Sequence, residues 1–265
     1  MTNGVKKPQY RCAKAATGRP ERARIKKKIE VYQPPAFRED RVEIMHDLVR
    51  AQPFATLVTI GSNGMTADHL PLILLAGGSE RGILQGHVAR PNPVWSDVDP
   101  SVDALAIFHG PHHYVTPSWY PSKAAHGKVV PTWNYAVVHA YGSLRAIEDA
   151  DWLKAHLKAL TARQESGRDT PWEIDDAPTE FIDRMVAGIV GFEIEVSRLE
   201  GKQKMSQNRD EADRASVIRG LGGRRVGNGA ARGREDTGLA FKQRFDSFAK
   251  FTPPVGAVQP FVVVI

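Results

Sequence analysis

Cysteine is all but missing: the 265 residues contain one, Cys12. A single thiol excludes an internal disulfide framework and any multi-cysteine metal site. Long apolar runs are missing as well, since no stretch approaches the ~18 residues that a membrane-crossing helix needs. The basic N-terminus lacks the apolar core of a secretory signal, so the expectation is a cytoplasmic protein with no membrane partner. No GxGxxG follows a strand, and "GLGG" at 220–223 has no strand before it. There is no Walker A sequence and no GxSxG elbow, so dinucleotide, P-loop and serine-nucleophile chemistries find no support. No repeat period is visible.

What is present is enough for a folded core, with 42% hydrophobic residues. The net charge of +6 is unevenly spread. Residues 1–30 carry +8 and residues 224–265 carry +4, which leaves −6 on residues 31–223. The basic ends read as a disordered extension (1–30) and an atypical basic tail (224–265), solvated rather than gripping phosphate backbones. The folded domain is expected over 31–223.

Within that domain the pattern is of short strands and turns. Val42, Met45, Leu48 and Val49 fall at helical spacing, and Pro53 stops them. "PFATLVTI" (53–60) reads as a buried strand, Ser62-Asn63-Gly64 as a turn, and "MTADHLPLILL" (65–75) as the single return strand. "ILQGHVA" (83–89), "ALAIF" (104–108) and "NYAVVHAYGSLRAI" (134–147) are further strands, the last with Gly142 as a bulge. "NPVW" (92–95) is a short helix or turn. Residues 149–165 predict a helix with Leu153, Leu157 and Leu160 on one stripe. Pro178 fits the first turn of another, with Phe181, Ile182, Met185 and Val186 on its buried side. "GFEIEV" (191–196) alternates, with Phe192, Ile194 and Val196 inward. The fold class is mainly β (α+β): a small antiparallel barrel with flanking helices.

Three features could carry chemistry. "HGPHH" (109–113) packs three histidines into five residues, but the spacing is not HExxH and Gly110-Pro111 is expected to turn the chain between them. The expectation is no metal. Second, Trp95, Phe108, Tyr114, Trp119, Tyr120, Trp133, Tyr135 and Tyr141 fall within 47 residues, among Pro, Ser, Lys, Thr and Asn. That mixture suits a planar ligand with polar edges, though several of these rings will be core. Third, "EGKQKMSQNR" (200–209) places Lys202 and Lys204 two apart, on one side of a strand, with Ser206, Gln207 and Asn208 following. Two ammonium groups beside such donors suit a phosphate, while a solvated basic turn fits the same spacing.

In order along the chain, "VYQPPAF", "HLPL", "GHVARPNPVW", "FHGPHHYVTPSWYPSK", "VPTWNYAVVHAYG" and "GKQKMSQNR" resemble the PaiB-type FMN-binding negative transcriptional regulators. The resemblance covers about residues 31–223. It implies an FMN-binding split barrel, a homodimer with flavin at the subunit interface, and a repressor linked to sporulation and degradative-enzyme genes. It also implies that His69, Leu70 and Pro71 run along the edge of the isoalloxazine, and that His87, Ala89 and Asn92 lie near the ribityl-phosphate end. Trp133 and Asn134 would close the ring side; Lys202, Lys204, Ser206, Gln207 and Asn208 would reach the phosphate across the dimer.

Two departures stand out. The family begins with Met-Tyr where this chain has Val31-Tyr32, which suggests that residues 1–30 are an upstream extension. After Gly223 an Arg/Gly-rich run replaces a short Ala-rich helix, as a change of reading frame would produce. DNA and a regulatory protein are both candidate partners, but an acidic core without an evident helix-turn-helix is a poor DNA partner, so regulation would run instead through a protein partner or a flavin redox signal. The alternative is a flavin-dependent oxidoreductase on the same fold, with His87, His112 or Lys123 assisting protonation; a haem-handling barrel is a third reading.

Overall fold

The computed structural model describes residues 31–77 and 79–222. The expected basic extension and the atypical tail lie outside the described residues. The chain divides into two units, residues 1–32 and 33–265, and the second carries the fold described below.

Eight strands form one antiparallel sheet in the order β3-β2-β6-β7-β8-β5-β4: β2 (Phe54–Gly61), β3 (Gly64–Pro71), β4 (Ile73–Leu75), β5 (Ile83–Ala89), β6 (Ala104–Val115), β7 (Thr132–Ile147) and β8 (Ile189–Lys204). The short β1 (Arg38–Glu39) adds to β8. Five helices flank the sheet: α1 (Val42–Ala51), α2 (Ser122–His126), α3 (Ala150–Glu165), α4 (Thr179–Ala187) and α5 (Glu211–Gly222).

β3 and β4 lie at opposite ends of this strand order, yet Leu72 alone separates them in sequence. One residue reaches less than ~4 Å, so the sheet must curl until its two ends meet. Among the described residues no ladder of hydrogen bonds closes the seam; Leu72 N–H donates instead to Pro53 C=O at 2.9 Å. The result is a barrel left open along one line. The single return strand expected over 65–75 is therefore two strands, because the chain changes partners at Leu72, from β2 to β5.

Alternation fills the interior. Leu57, Ala106 and Phe108 from β2 and β6, Val138 and Ala140 from β7, and Phe192 and Ile194 from β8 are all almost fully buried. The register of β7 on β8 shifts at Tyr141/Gly142, the bulge expected at that glycine. A Cβ there would stand 2.0 Å from Glu195 C=O, so only glycine lets the strands approach. The β6–β7 register shifts between His109 and His112, so Gly110-Pro111 is a bulge within one continuous strand rather than a turn. α3 buries Leu153 and His156. α4 buries only Val186 and leaves Phe181 and Met185 about half exposed, so its expected four-residue buried side is not found.

Candidate functional site

Period-two alternation on β7 sends Trp133 and Tyr135 outward and Asn134 inward. On β8, Lys202 and Lys204 share the outward side, and Tyr135 pairs with Lys204. β6 adds His112 opposite Tyr135 and Tyr114 opposite Trp133. Trp133 is 52% exposed and Tyr114 44%, with their ring centroids 6.1 Å apart and nearly perpendicular. His112 lies 6.0 Å from Trp133, and Lys202 Nζ lies 5.6 Å from the Tyr135 ring. Lys204 Nζ lies 6.0 Å from the Phe37 ring and donates to Thr132 Oγ1. This is an open face of aromatic rings flanked by two ammonium groups.

Beneath it, Asn134 is fully buried. Its Oδ1 accepts from Ser206 Oγ at 3.0 Å, and its Nδ2 has no partner among the described residues. Ser206 has φ of 61°, a left-handed conformation that a serine adopts only when its surroundings hold it there. Gln207 secures the same turn: its Oε1 accepts from Met205 N–H at 2.6 Å, and its Nε2 donates to Gln203 C=O. Asn208 is exposed at the tip. Tyr120 Oη is a second buried polar atom without a partner among the described residues, and the Arg209 guanidinium lies 4.7 Å over that tyrosine's ring.

The remaining expected residues lie elsewhere. His69 is exposed on β3, and its pairing row runs through Thr56, Ile107 and His139 to Glu200. Lys204 is four residues beyond Glu200 and four strands from β3, so along the sheet the two are separated by about 13 Å and about 19 Å in the two directions. Leu70 points inward, and Pro71 ends β3. Asn92 donates to Asp68 Oδ1 at 2.6 Å, which ties the turn after β5 to β3, and Ala89 is exposed at the end of β5. His87 is not on this surface. Its Nδ1 meets His156 Nε2 at 3.1 Å beneath α3, and Trp152 stacks on His156 at 5.2 Å and 10°. Burial lowers the pKa of His87, and burial with His87 alongside lowers that of His156 to about 4.

The single chain thus gathers Trp133, Lys202, Lys204, Ser206, Gln207 and Asn208 at one end of β7–β8, with Asn134 behind them. It places His69, Leu70, Pro71, Ala89 and Asn92 around β3 and β5, and His87 under a helix. Tyr135 and Tyr114 belong with Trp133. Alternation alone selects Tyr135, whereas Tyr114 requires the strand register. Among the described residues no three His, Cys, Asp or Glu side chains converge to hold a metal.

The outward face suits a flat, anionic ligand: ring faces for stacking and ammonium groups for charge, with the buried Asn134 bracing the turn through Ser206. FMN has these properties, so the residues present fit it. A half-buried cluster also lies on the same sheet surface. Arg198 Cζ sits 3.5 Å over the Tyr141 ring and pairs with Glu200, which accepts from Tyr141 Oη at 3.3 Å.

Residues 31–198 match the protein family described as "Putative FMN-binding domain". The chain is 34% identical over 194 residues to Protease synthase and sporulation protein PAI 2 of Bacillus subtilis, covering 72% of this chain and 89% of that protein. It is 34% identical over 218 residues to an uncharacterised Emericella nidulans protein, AN0679, covering 69% and 87%. Among solved structures, the FAD and heme binding protein from Mycobacterium smegmatis superimposes with a TM-score of 0.48 at 15% identity, covering 74% of this chain and 89% of that one. The chain belongs to the PaiB-type family of FMN-binding proteins, and FMN is the cofactor of its domain.

Proposed function

We propose that this protein is an FMN-binding negative regulator of gene expression that works as a homodimer with flavin held between the two copies. The observation that carries the dimer is the separation of the two candidate groups. The β3 edge, with His69, Leu70 and Pro71, and the β7–β8 end, with Trp133, Lys202, Lys204 and Ser206, lie far apart along one sheet. A two-fold partner supplies one group to complete the other, because a self-complementary interface sets unlike patches of the two copies against each other. Bound FMN supplies electron-accepting chemistry; the chain's residues bind and orient it. Lys202 and Lys204 neutralise the phosphate, Trp133 and Tyr135 offer ring faces, and Ser206 and Asn134 shape the turn.

His87, one of three candidate acids for flavin chemistry, is removed from that role because His156 occupies its ring nitrogen beneath α3. His112, on the aromatic face 6.0 Å from Trp133, is the residue on which the oxidoreductase reading rests. The charge of −6 on residues 31–223 argues for a protein partner or a redox signal over direct reading of DNA. Gel filtration of the full chain with FMN, with light scattering, tests the reading. The expected result is flavin absorbance co-eluting at twice the chain mass, with no prompt bleaching by NAD(P)H under anaerobic conditions. A colourless monomer overturns the flavin-bridged dimer, and prompt bleaching replaces the regulator with an oxidoreductase.

A further inference from the structure

The turn that carries Ser206, Gln207 and Asn208 runs directly into α5, and α5 grips the loop that follows β6 at two points on one helix face. Asp213, 1% exposed, accepts from Ser122 N–H at 3.1 Å and from Ser122 Oγ at 2.7 Å. Two turns later a Cβ on Gly220 would stand 2.4 Å from the Trp119 ring, so helix and indole are in direct contact. Val217 and Leu221, between and beside these residues, are buried in the core. Arg209, at the end of the turn, lies over Tyr120 in the same loop, and its N–H donates to Ser206 C=O at 2.9 Å. Loop, turn and helix are therefore one mechanical unit, and the left-handed Ser206 sits at its centre.

We propose that Asp213 is a positioning residue for the phosphate end of the flavin site: by holding Ser122 it anchors α5, and through α5 it sets the 204–209 turn. It touches no ligand itself. The carboxylate accepts both bonds, one on each oxygen. An amide keeps the bond from Ser122 N–H but loses the charge-assisted one, since the Ser122 hydroxyl must then accept from N–H₂. Loss of the anchor relaxes Ser206 out of its left-handed conformation and moves the donors around Asn134. The inference rests on the FMN reading above.

Fluorescence titration of the full chain with FMN and with riboflavin, which lacks the phosphate, tests it. Asp213→Asn is expected to raise the FMN Kd by about tenfold, the loss of one charge-assisted hydrogen bond, and the riboflavin Kd by less than about twofold. Ser122→Ala should shift the same ratio by less, and Ser122→Thr should restore it. If Asp213→Asn does not fold, the two Ser122 variants decide. Equal weakening of both ligands, or an unchanged ratio in every variant while the unsubstituted chain binds FMN, overturns the positioning role alone. An unsubstituted chain that binds neither ligand overturns the FMN reading together with this inference.

Discussion

His87 Nδ1 and His156 Nε2 face each other at 3.1 Å between β5 and α3, so one ring must donate and the other accept. Burial disfavours the charged form of both imidazoles. His156 Nδ1 is buried with no partner among the described residues, and Trp152 closes the far side of the ring. Glu193, the nearby carboxylate on β8, is engaged by Gln85 and Arg145.

The pair makes the attachment of α3 sensitive to acid. Burial lowers both pKa values, that of His156 to about 4, whereas an unfolded histidine titrates near ~6.5. The unfolded chain then binds more protons, so stability is full above ~6.5 and falls as pH drops toward about 4. The expected loss is on the order of 2 kcal/mol. Thermal melts from pH 7 to pH 4.5 should show it, with a steeper fall than in His156→Phe, which keeps the ring against Trp152. Equal slopes would remove the pair from the acid response.

Ser206 at φ 61° is the one described non-glycine residue with positive φ. Ser206→Val should cost about 2 kcal/mol or more, because a β-branched residue resists that conformation. Ser206→Gly should stay within about 1 kcal/mol, since relief of backbone strain offsets the lost bond to Asn134. Urea unfolding of both variants checks the order, and a valine variant as stable as glycine would show that the turn relaxes.

Phe192 is fully buried at the middle of the barrel, and a Cβ on Gly86 would stand 2.6 Å from its ring. Phe192→Ala should lose about 4 kcal/mol by opening a cavity. Gly142→Ala should lose about 3 kcal/mol for the opposite reason, since its methyl meets Glu195 C=O. Chemical denaturation measures both, and a neutral Gly142→Ala would mean that β7 and β8 can separate there.

Trp133 and Lys204 should behave in the opposite way from these core positions. Trp133 is half exposed, so Trp133→Ala is expected to change stability by less than about 0.5 kcal/mol. Its loss should still weaken FMN by about tenfold, the value of a stacked ring face. Lys204→Ala should weaken FMN more than riboflavin, because the ammonium acts on the phosphate. Fluorescence titration beside thermal melts separates the two effects. FMN affinity unchanged in both variants would move the flavin away from this face.

Most strands were legible in the residues because a half-buried strand must alternate: "ILQGHVA" and "GFEIEV" declare their inward sides without any partner. The helix over 149–165 was legible for the same reason at period 3.6. The break of 65–75 into β3 and β4 was not legible, because Leu72 looks like any apolar strand residue and only the curled sheet makes it the crossing point. Phe181 and Met185 have helical spacing, but among the described residues no element buries them.

By itself the sequence determined the mainly β class, the Gly142 bulge, and the aromatic and basic stretches that mark the family; these depend on local periodicity and on glycine's missing side chain. Only the tertiary structure decided that Tyr114 lies beside Trp133, that His87 belongs to α3, and that Asp213 holds Ser122 from 91 residues away. Strand order and register bring distant residues together, and no local pattern along a chain records which strand will lie beside which.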